Sequence, residues 1–316
     1  MNPSSGATLL ESHDCAHGPP YAFAANVAVA TIAQTCIDGA SNEKRAGSGL
    51  ATVRRVNGRS VVVRQVANSP LRLLAPRGCP GQAAWIFTST FGGGLLGGDH
   101  IDLAIRAERG STVLLGTQAS TKVYGANASR SARQSLNVDL DAEATAIVLP
   151  DPVTCFAGAS YRQDVTVQLG PGASVVILDW FTSGRKARGE RWAFGRYESR
   201  LELRAEQRTL FRDALVLDQK DGPLAGNARM GRCDCYATVL LAGPRLKTAA
   251  ADLLAWTAAR PAEPADGLAF SASPAAADGA VLRVAGAGTE QVSRWLRERL
   301  GFVVGLLDGD PWSRKT

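Results

Sequence analysis

The sequence has no apolar run approaching the ~18–20 residues that a membrane-spanning helix needs. Its longest apolar stretches, such as Val175–Leu178 and Phe302–Leu307, have the length of a strand or a short core segment. Basic residues are missing from the N-terminus, where no Lys or Arg precedes Lys44. A secretory or mitochondrial leader needs early positive charge, so this stretch reads as neither, its Ala-rich run Tyr21–Ala33 included. Histidine is scarce, with His13, His17 and His100 the full set, and no Gly-x-Ser-x-Gly elbow occurs, which disfavours a nucleophile triad. No Cys-x-x-Cys pair exists either. The six cysteines (Cys15, Cys36, Cys79, Cys155, Cys233, Cys235) are scattered and are expected to be free thiols in a cytoplasmic protein.

What is present is a globular composition with excess glycine. Of 316 residues, 45% are hydrophobic, 20% are charged and 33 are Gly. That much apolar material can bury a sizeable core, which excludes a mostly disordered chain. The net charge of +6 is unevenly placed. Glu11, Asp14, Asp38 and Glu43 face no basic residue within the first 43 positions, leaving +10 on the remainder. A basic body suits an acidic partner surface, yet no aromatic-plus-basic module for nucleic acid appears.

Residues 1–48 read as a poorly ordered extension and 49–316 as one domain. From residue 49 the pattern has period two: Ser60–Val66, Ala84–Thr90, Ile101–Ala107 and Thr112–Thr117 are short, β-branched and bounded by turn residues. Asn57-Gly58 between two such runs signals a hairpin. A loose repeat runs through Asp102–Thr117, Asn137–Leu149, Asp164–Leu178 and Leu201–Leu215, each an alternating strand, a turn and a second apolar strand. Aligned on Val113, Ile147, Val176 and Leu210, the second strands recur at intervals of 34, 29 and 34 residues. Hairpin units at that spacing must stack to bury their faces. Helix patterns come late, at Thr248–Arg260 and Thr289–Leu300, the latter with Val292, Trp295, Leu296 and Leu300 on one face. Residues 261–279, rich in Ala, Pro, Asp and Gly, read as a loop. The expected fold is mainly β: stacked, solenoid-like antiparallel sheets with a few C-terminal α-helices.

Several segments could carry chemistry. Phe91–Asp99 holds five glycines in nine residues, but it ends in Asp99-His100 and opens a strand, unlike a phosphate loop. Ser183–Arg191 gathers Arg185, Lys186, Arg188 and Arg191 around Glu190, flanked by Gly184 and Gly189. It reads as a solvated loop, a docking patch, or a carboxylate held by arginines. Pro150 and Pro152 fix an extended turn around Asp151. Cys233-Asp234-Cys235 puts two thiols on one face of a strand but lacks the further ligands of a zinc site. His13, Cys15 and His17 form a compact cluster with donors suited to nickel or copper.

Five ordered motifs resemble the urease accessory protein D family (UreD, or UreH). They are Ser69-Pro70-Leu71; Gly93-Gly94-Leu95-Leu96-Gly97-Gly98-Asp99; Thr121-Lys122-Val123-Tyr124; Pro150 through Gly158-Ala159; and Gly184-Arg185 with Gly189-Glu190. The likeness covers about residues 50–218 well and the C-terminal third loosely. It implies a stacked β fold and a non-enzymatic chaperone that acts with UreF and the GTPase UreG on apo-urease, passing nickel along an internal route. Nickel is then transient cargo rather than a cofactor. Carried onto this chain, the resemblance makes Asp99 and Glu190 the candidate metal positions. Arg185, Arg188, Lys122 and Tyr124 become candidates for supporting that route or touching partners, with Gly93, Gly94, Gly97, Gly98, Gly184 and Gly189 as structural elements. The competing reading is a hydrolase using Asp99 and Glu190 as a carboxylate pair, which in the glycosidase case needs roughly 5–10 Å between them. A third is a plain β-solenoid interaction module.

Overall fold

The structure is a computed structural model that describes residues 46–125, 130–260 and 267–313. The His13/Cys15/His17 cluster therefore lies outside the described residues. In chain order the strands are β1 (Ala46–Val56), β2 (Arg59–Ala67), β3 (Leu71–Leu74), β4 (Ala84–Thr90), β5 (His100–Ala107), β6 (Thr112–Thr117), β7 (Thr121–Val123), β8 (Ala132–Leu140) and β9 (Thr145–Leu149). They continue as β10 (Val153–Cys155), β11 (Ser160–Leu169), β12 (Ser174–Thr182), β13 (Arg196–Ala205), β14 (Arg208–Asp218) and β15 (Cys235–Ala242). Helix α1 (Lys247–Ala258), the hairpin β16 (Leu268–Ala275) and β17 (Gly279–Gly286), α2 (Thr289–Arg299) and α3 (Val303–Leu307) complete the chain.

Two sheets face each other. Sheet one has the order β14-β13-β11-β8-β5-β1-β2, and sheet two β16-β17-β15-β12-β9-β6-β4-β3. The stacked, solenoid-like β fold with few late helices is as expected, but its centre is parallel. β1, β5, β8, β11 and β13 run parallel in sheet one, and β4, β6, β9 and β12 do so in sheet two. Antiparallel pairs occupy the flanks. The correction has a simple cause. The turn after β5 does not fold the chain back on its own sheet; it carries the chain across the core, so the two strands of a unit join different sheets. The next strand of sheet one then starts beside the last and runs the same way, with sheet two supplying the crossover that a helix supplies elsewhere.

The repeat survives this change with one slip. Ile147 and Val176 are register partners, whereas Ile147 pairs with Leu114 rather than Val113. The fourth unit is a true hairpin, because β14 turns back on β13 within sheet one and Leu210 leaves the series. The Asn57-Gly58 hairpin forms as read, both residues having positive φ.

Burial explains the sequence pattern. Among the described residues sheet one is covered on its inner face alone, so β5 alternates, with Ile101, Leu103 and Ile105 buried and the intervening residues half-buried. Sheet two is covered on both faces, so β9 is buried throughout and reads as a continuous apolar run. Ala146, Val148 and Ile177 face the space between sheets. Leu114, Ile147 and Val176 face a second apolar layer under Leu253 of α1 and Trp295 and Leu296 of α2. The loop expected across 261–279 is in its described part the β16–β17 hairpin. Its small residues pack between larger ones such as Leu268 and Phe270, and Pro274 is tolerated because β16 is an edge strand.

Candidate functional site

Each coil passes from sheet two to sheet one through a loop, and four successive loops carry the motifs singled out above: Phe91–Asp99, the Thr121–Tyr124 stretch, Pro150–Ala159 and the Ser183–Arg191 stretch. They stack at one corner. Leu95 bridges Val123 in parallel, β7 pairs with β10, and β10 pairs with the end of β12 at Phe181 and Thr182. Backbone bonds continue the stack: Leu95 N–H donates to Lys122 C=O at 2.8 Å, and Phe156 N–H to Val123 C=O at 2.9 Å.

Side chains form a column along this corner. A Cβ on Gly94 would stand 2.6 Å from both Lys122 O and the Tyr124 ring, so only glycine fits there. Tyr124 meets Phe156 edge to face at 5.1 Å. The Arg185 guanidinium lies 3.9 Å over the Phe156 ring and grips Glu190 in a bidentate pair. Glu190 Oε2 also accepts the Ala157 N–H at 3.1 Å. Gly184, at φ 110°, carries the turn where a Cβ would fall 2.4 Å from Glu190 O. The Arg185 bonds, and next the Ala157 N–H, hold the Glu190 carboxyl below its ordinary range. Asp99 is buried and accepts the Leu96 N–H at 2.8 Å through Oδ2, closing its own glycine turn. Gly93, Gly97, Gly98 and Gly189 complete the same two loops. Lys122 and Arg188 point to solvent.

Asp99 and Glu190 are therefore not brought together. They belong to the first and fourth loops of the stack, and Glu190 reaches back to Ala157 of the third, so the carboxylates stand two to three inter-strand steps apart, on the order of 10–14 Å at about 4.8 Å per step. That spacing is unsuited to a carboxylate pair acting on one bond. Of the cation cluster, Arg185 holds Glu190, while Lys186 and Arg191 both pair with the buried Asp234, tying the fourth loop to the segment before β15. Cys235 starts β15 and is buried, its thiol pushed up to about 12 chiefly by desolvation, and Cys233 lies just outside the strand. Among the described residues no three His, Cys, Asp or Glu side chains gather as a metal-binding group.

Sequence reasoning missed a polar cluster inside the molecule. A cavity of about 70 Å³ lies between the sheets, lined by Thr117, Gln134, Gln163 and Asp179 among others. Gln163 Nε2 donates to Asp179 Oδ1 at 2.6 Å and Ser199 Oγ donates to Oδ2. Tyr161 donates to Gln134 at 3.0 Å. Asp179 is enclosed by protein yet part of its surface faces the cavity. Desolvation raises its pKa against the pull of the Ser199 and Gln163 hydrogen bonds. The available signal was a lone carboxylate interrupting the apolar strand Ser174–Thr182.

Coils that stack two sheets, cover the outer face of one with late helices, lock four loops into one corner and leave a small cavity between the sheets define a β-solenoid protein. Residues 45–311 match the family described as UreD urease accessory protein. The chain is 48% identical over 271 residues to a urease accessory protein UreD of Sorangium cellulosum (strain So ce56), covering 86% of this chain and 85% of that one. It is 44% identical over 270 residues to the UreD of Anaeromyxobacter sp. (strain Fw109-5), covering 85% and 90%. It is also 39% identical over 206 residues to the urease accessory protein D of Oryza sativa subsp. indica, covering 64% and 67%. The chain belongs to the UreD urease accessory protein family, which places it in urease maturation.

Proposed function

We propose that this chain is a cytoplasmic, non-enzymatic chaperone for nickel insertion into urease, acting in a complex with UreF and the GTPase UreG on apo-urease. Nickel(II) is its cargo and crosses the hollow between the two sheets. The observation that carries this reading is Asp179: a carboxylate in the wall of a largely apolar cavity, backed by Gln163 and Ser199, with part of its surface open to the cavity. A carrier must release its ion, and a few carboxylates among neutral oxygen and amide neighbours leave room for retained water where a Cys/His cage would trap the metal. Asp99 and Glu190 enter this proposal as anchors of the corner, and Lys122 and Arg188 as its outward charges toward partners.

The test is reconstitution of urease from UreF, UreG, apo-urease and nickel(II), with metal counted in the recovered urease. Loading is expected to fail without this chain and to fall with Asp179→Ala while the complex still assembles. Full loading in the absence of the chain overturns the proposal.

A further inference from the structure

We propose that a second cavity, between the outer face of sheet two and α2, is a binding site for a free α-amino acid with an apolar side chain. It lies on the opposite face of sheet two from the hollow already described, and it stands whether or not cargo crosses that hollow.

The room comes from a missing side chain. Gly116 follows Leu115, which faces the inner core, and so sits on the same face as Leu114, which packs in the outer layer. With nothing projecting at 116, α2 passes over a cavity of about 180 Å³, well above what a single water needs. Thr289, Glu290, Ser293, Leu296 and Arg297 recur at helical spacing and form the face of α2 that lines it. Trp180 lies in the sheet wall. Its Nε1–H donates to Pro150 C=O at 2.8 Å, which spends its polar atom and leaves the ring as apolar surface.

The charges in the wall select the ligand. Three arginines keep a buried Nε–H with no hydrogen-bond partner among the described residues: Arg106, Arg297 and Arg299. Arg106 pairs with Asp141 at 3.4 Å, and the Arg299 guanidinium lies 4.2 Å over the Trp256 ring. Among the described residues Arg297 has neither kind of contact. A carboxylate brought into the cavity would supply the missing acceptor through a charge-assisted bond. A plain anion, however, would also face Asp151, buried in the sheet wall with Oδ2 accepting the Thr117 hydroxyl at 3.1 Å, and Glu290, exposed on α2. A plain cation would leave Arg297 unanswered. A ligand carrying both signs satisfies the whole wall, its carboxylate on Arg297 and its ammonium toward Asp151 and Glu290. Glu290 and Arg297 are two helical turns apart, about 10 Å along the axis, so the two ends of this face hold opposite charge. Leu114, Leu178, Trp180 and Trp312 supply the remaining wall, so the group between the charges is apolar.

The experiment titrates the full chain with L-leucine, with isocaproate, which lacks the ammonium, and with isoamylamine, which lacks the carboxylate. Binding is read by calorimetry and by the rise of the thermal unfolding midpoint that a native-state ligand causes. L-Leucine is expected to bind about tenfold or more tightly than either analogue, since each has lost a charge-assisted bond. Arg297→Gln is expected to remove its advantage over isoamylamine. Ser293→Phe fills the cavity from the helix and is expected to abolish binding of all three with circular dichroism unchanged. Failure of L-leucine to bind the parent chain overturns the proposal, and the ligand series on that chain settles it even where a variant does not fold. Isocaproate binding as tightly as L-leucine also overturns it, by making the cavity a plain anion site. So does a folded Arg297→Gln chain that binds L-leucine as the parent does, because the ligand then sits elsewhere.

Discussion

Arg185 and Glu190 are five residues apart in one loop, yet their pairing joins two coils. Glu190 takes the Ala157 N–H from the preceding loop, and Arg185 rests on Phe156 of that same loop. The sequence left open whether Arg185 holds Glu190 or meets a partner, because the spacing across Gly184 and Gly189 does not fix which way a long side chain turns. Asp179 was illegible for the converse reason: its partners Gln163 and Ser199 lie on other strands, and nothing local marks them. The clamp has a titration signature. Because the folded Glu190 pKa is depressed, its stabilising contribution is present above the ordinary glutamate value of 4.5 and is lost as pH falls through the depressed one. Arg185→Ala is expected to move the Glu190 titration upward toward that ordinary value and to flatten the acid limb of the stability profile. Carboxyl carbon NMR of the variant checks this; an unshifted Glu190 would show that Arg185 does not set its charge.

At the scale of elements, the coils share one detail. The three short turns that cross from sheet one to sheet two after β5, β8 and β11 each place a residue at positive φ: Gly110 at 64°, Glu143 at 61° and Gly172 at 69°. They also stack, Gly110 N–H donating to Ala142 C=O and Glu143 N–H to Pro171 C=O. Two of the three are glycine, as a left-handed position favours, and Glu143 carries the strain of a side chain there. Its pair with Arg109, at 3.5 Å with both side chains about 70% exposed, returns little. Glu143→Gly is therefore expected to stabilise the fold by about 1 kcal/mol, less the added freedom of the unfolded chain. The urea midpoint should rise; a fall would mean the Arg109 pair or unfolded-state entropy outweighs the relieved strain. These turns also explain what the sequence could and could not convey. Asn57-Gly58 is legible because its geometry is set by two adjacent residues. A short polar turn such as Glu108–Ser111 serves equally to fold a strand back or to carry it across, so strand alternation was readable and strand direction was not. β16 was hidden by its own composition, since Ala, Ser and Pro are the residues of loops as well as of a small-residue edge.

For the whole molecule, parallel stacking leaves a consequence at its ends. A solenoid never closes, so sheet one finishes on two edge strands, β2 and β14. Edge strands with free backbone groups recruit further strands unless charge, bulges or cover prevents it. β2 is protected in part: it carries a bulge at Val63, opposite Thr52 and Val53 of β1, and Arg59 and Arg64 sit along it. Its outer surface is nonetheless apolar, with Val61, Val63 and Val66 exposed at 39%, 45% and 47%, beside Val56 at the hairpin end. The basic body keeps copies apart by repulsion, and salt screens that repulsion within about 10 Å at 0.1 M. The isolated chain is thus expected to associate more as salt is raised, through β2. Val61→Lys with Val63→Lys should suppress that association in light scattering while changing stability by no more than about 0.5 kcal/mol, as both positions face solvent. If the double variant associates as the parent does, β2 is not the contact, and β14, with Val216 exposed at 45%, becomes the edge to alter.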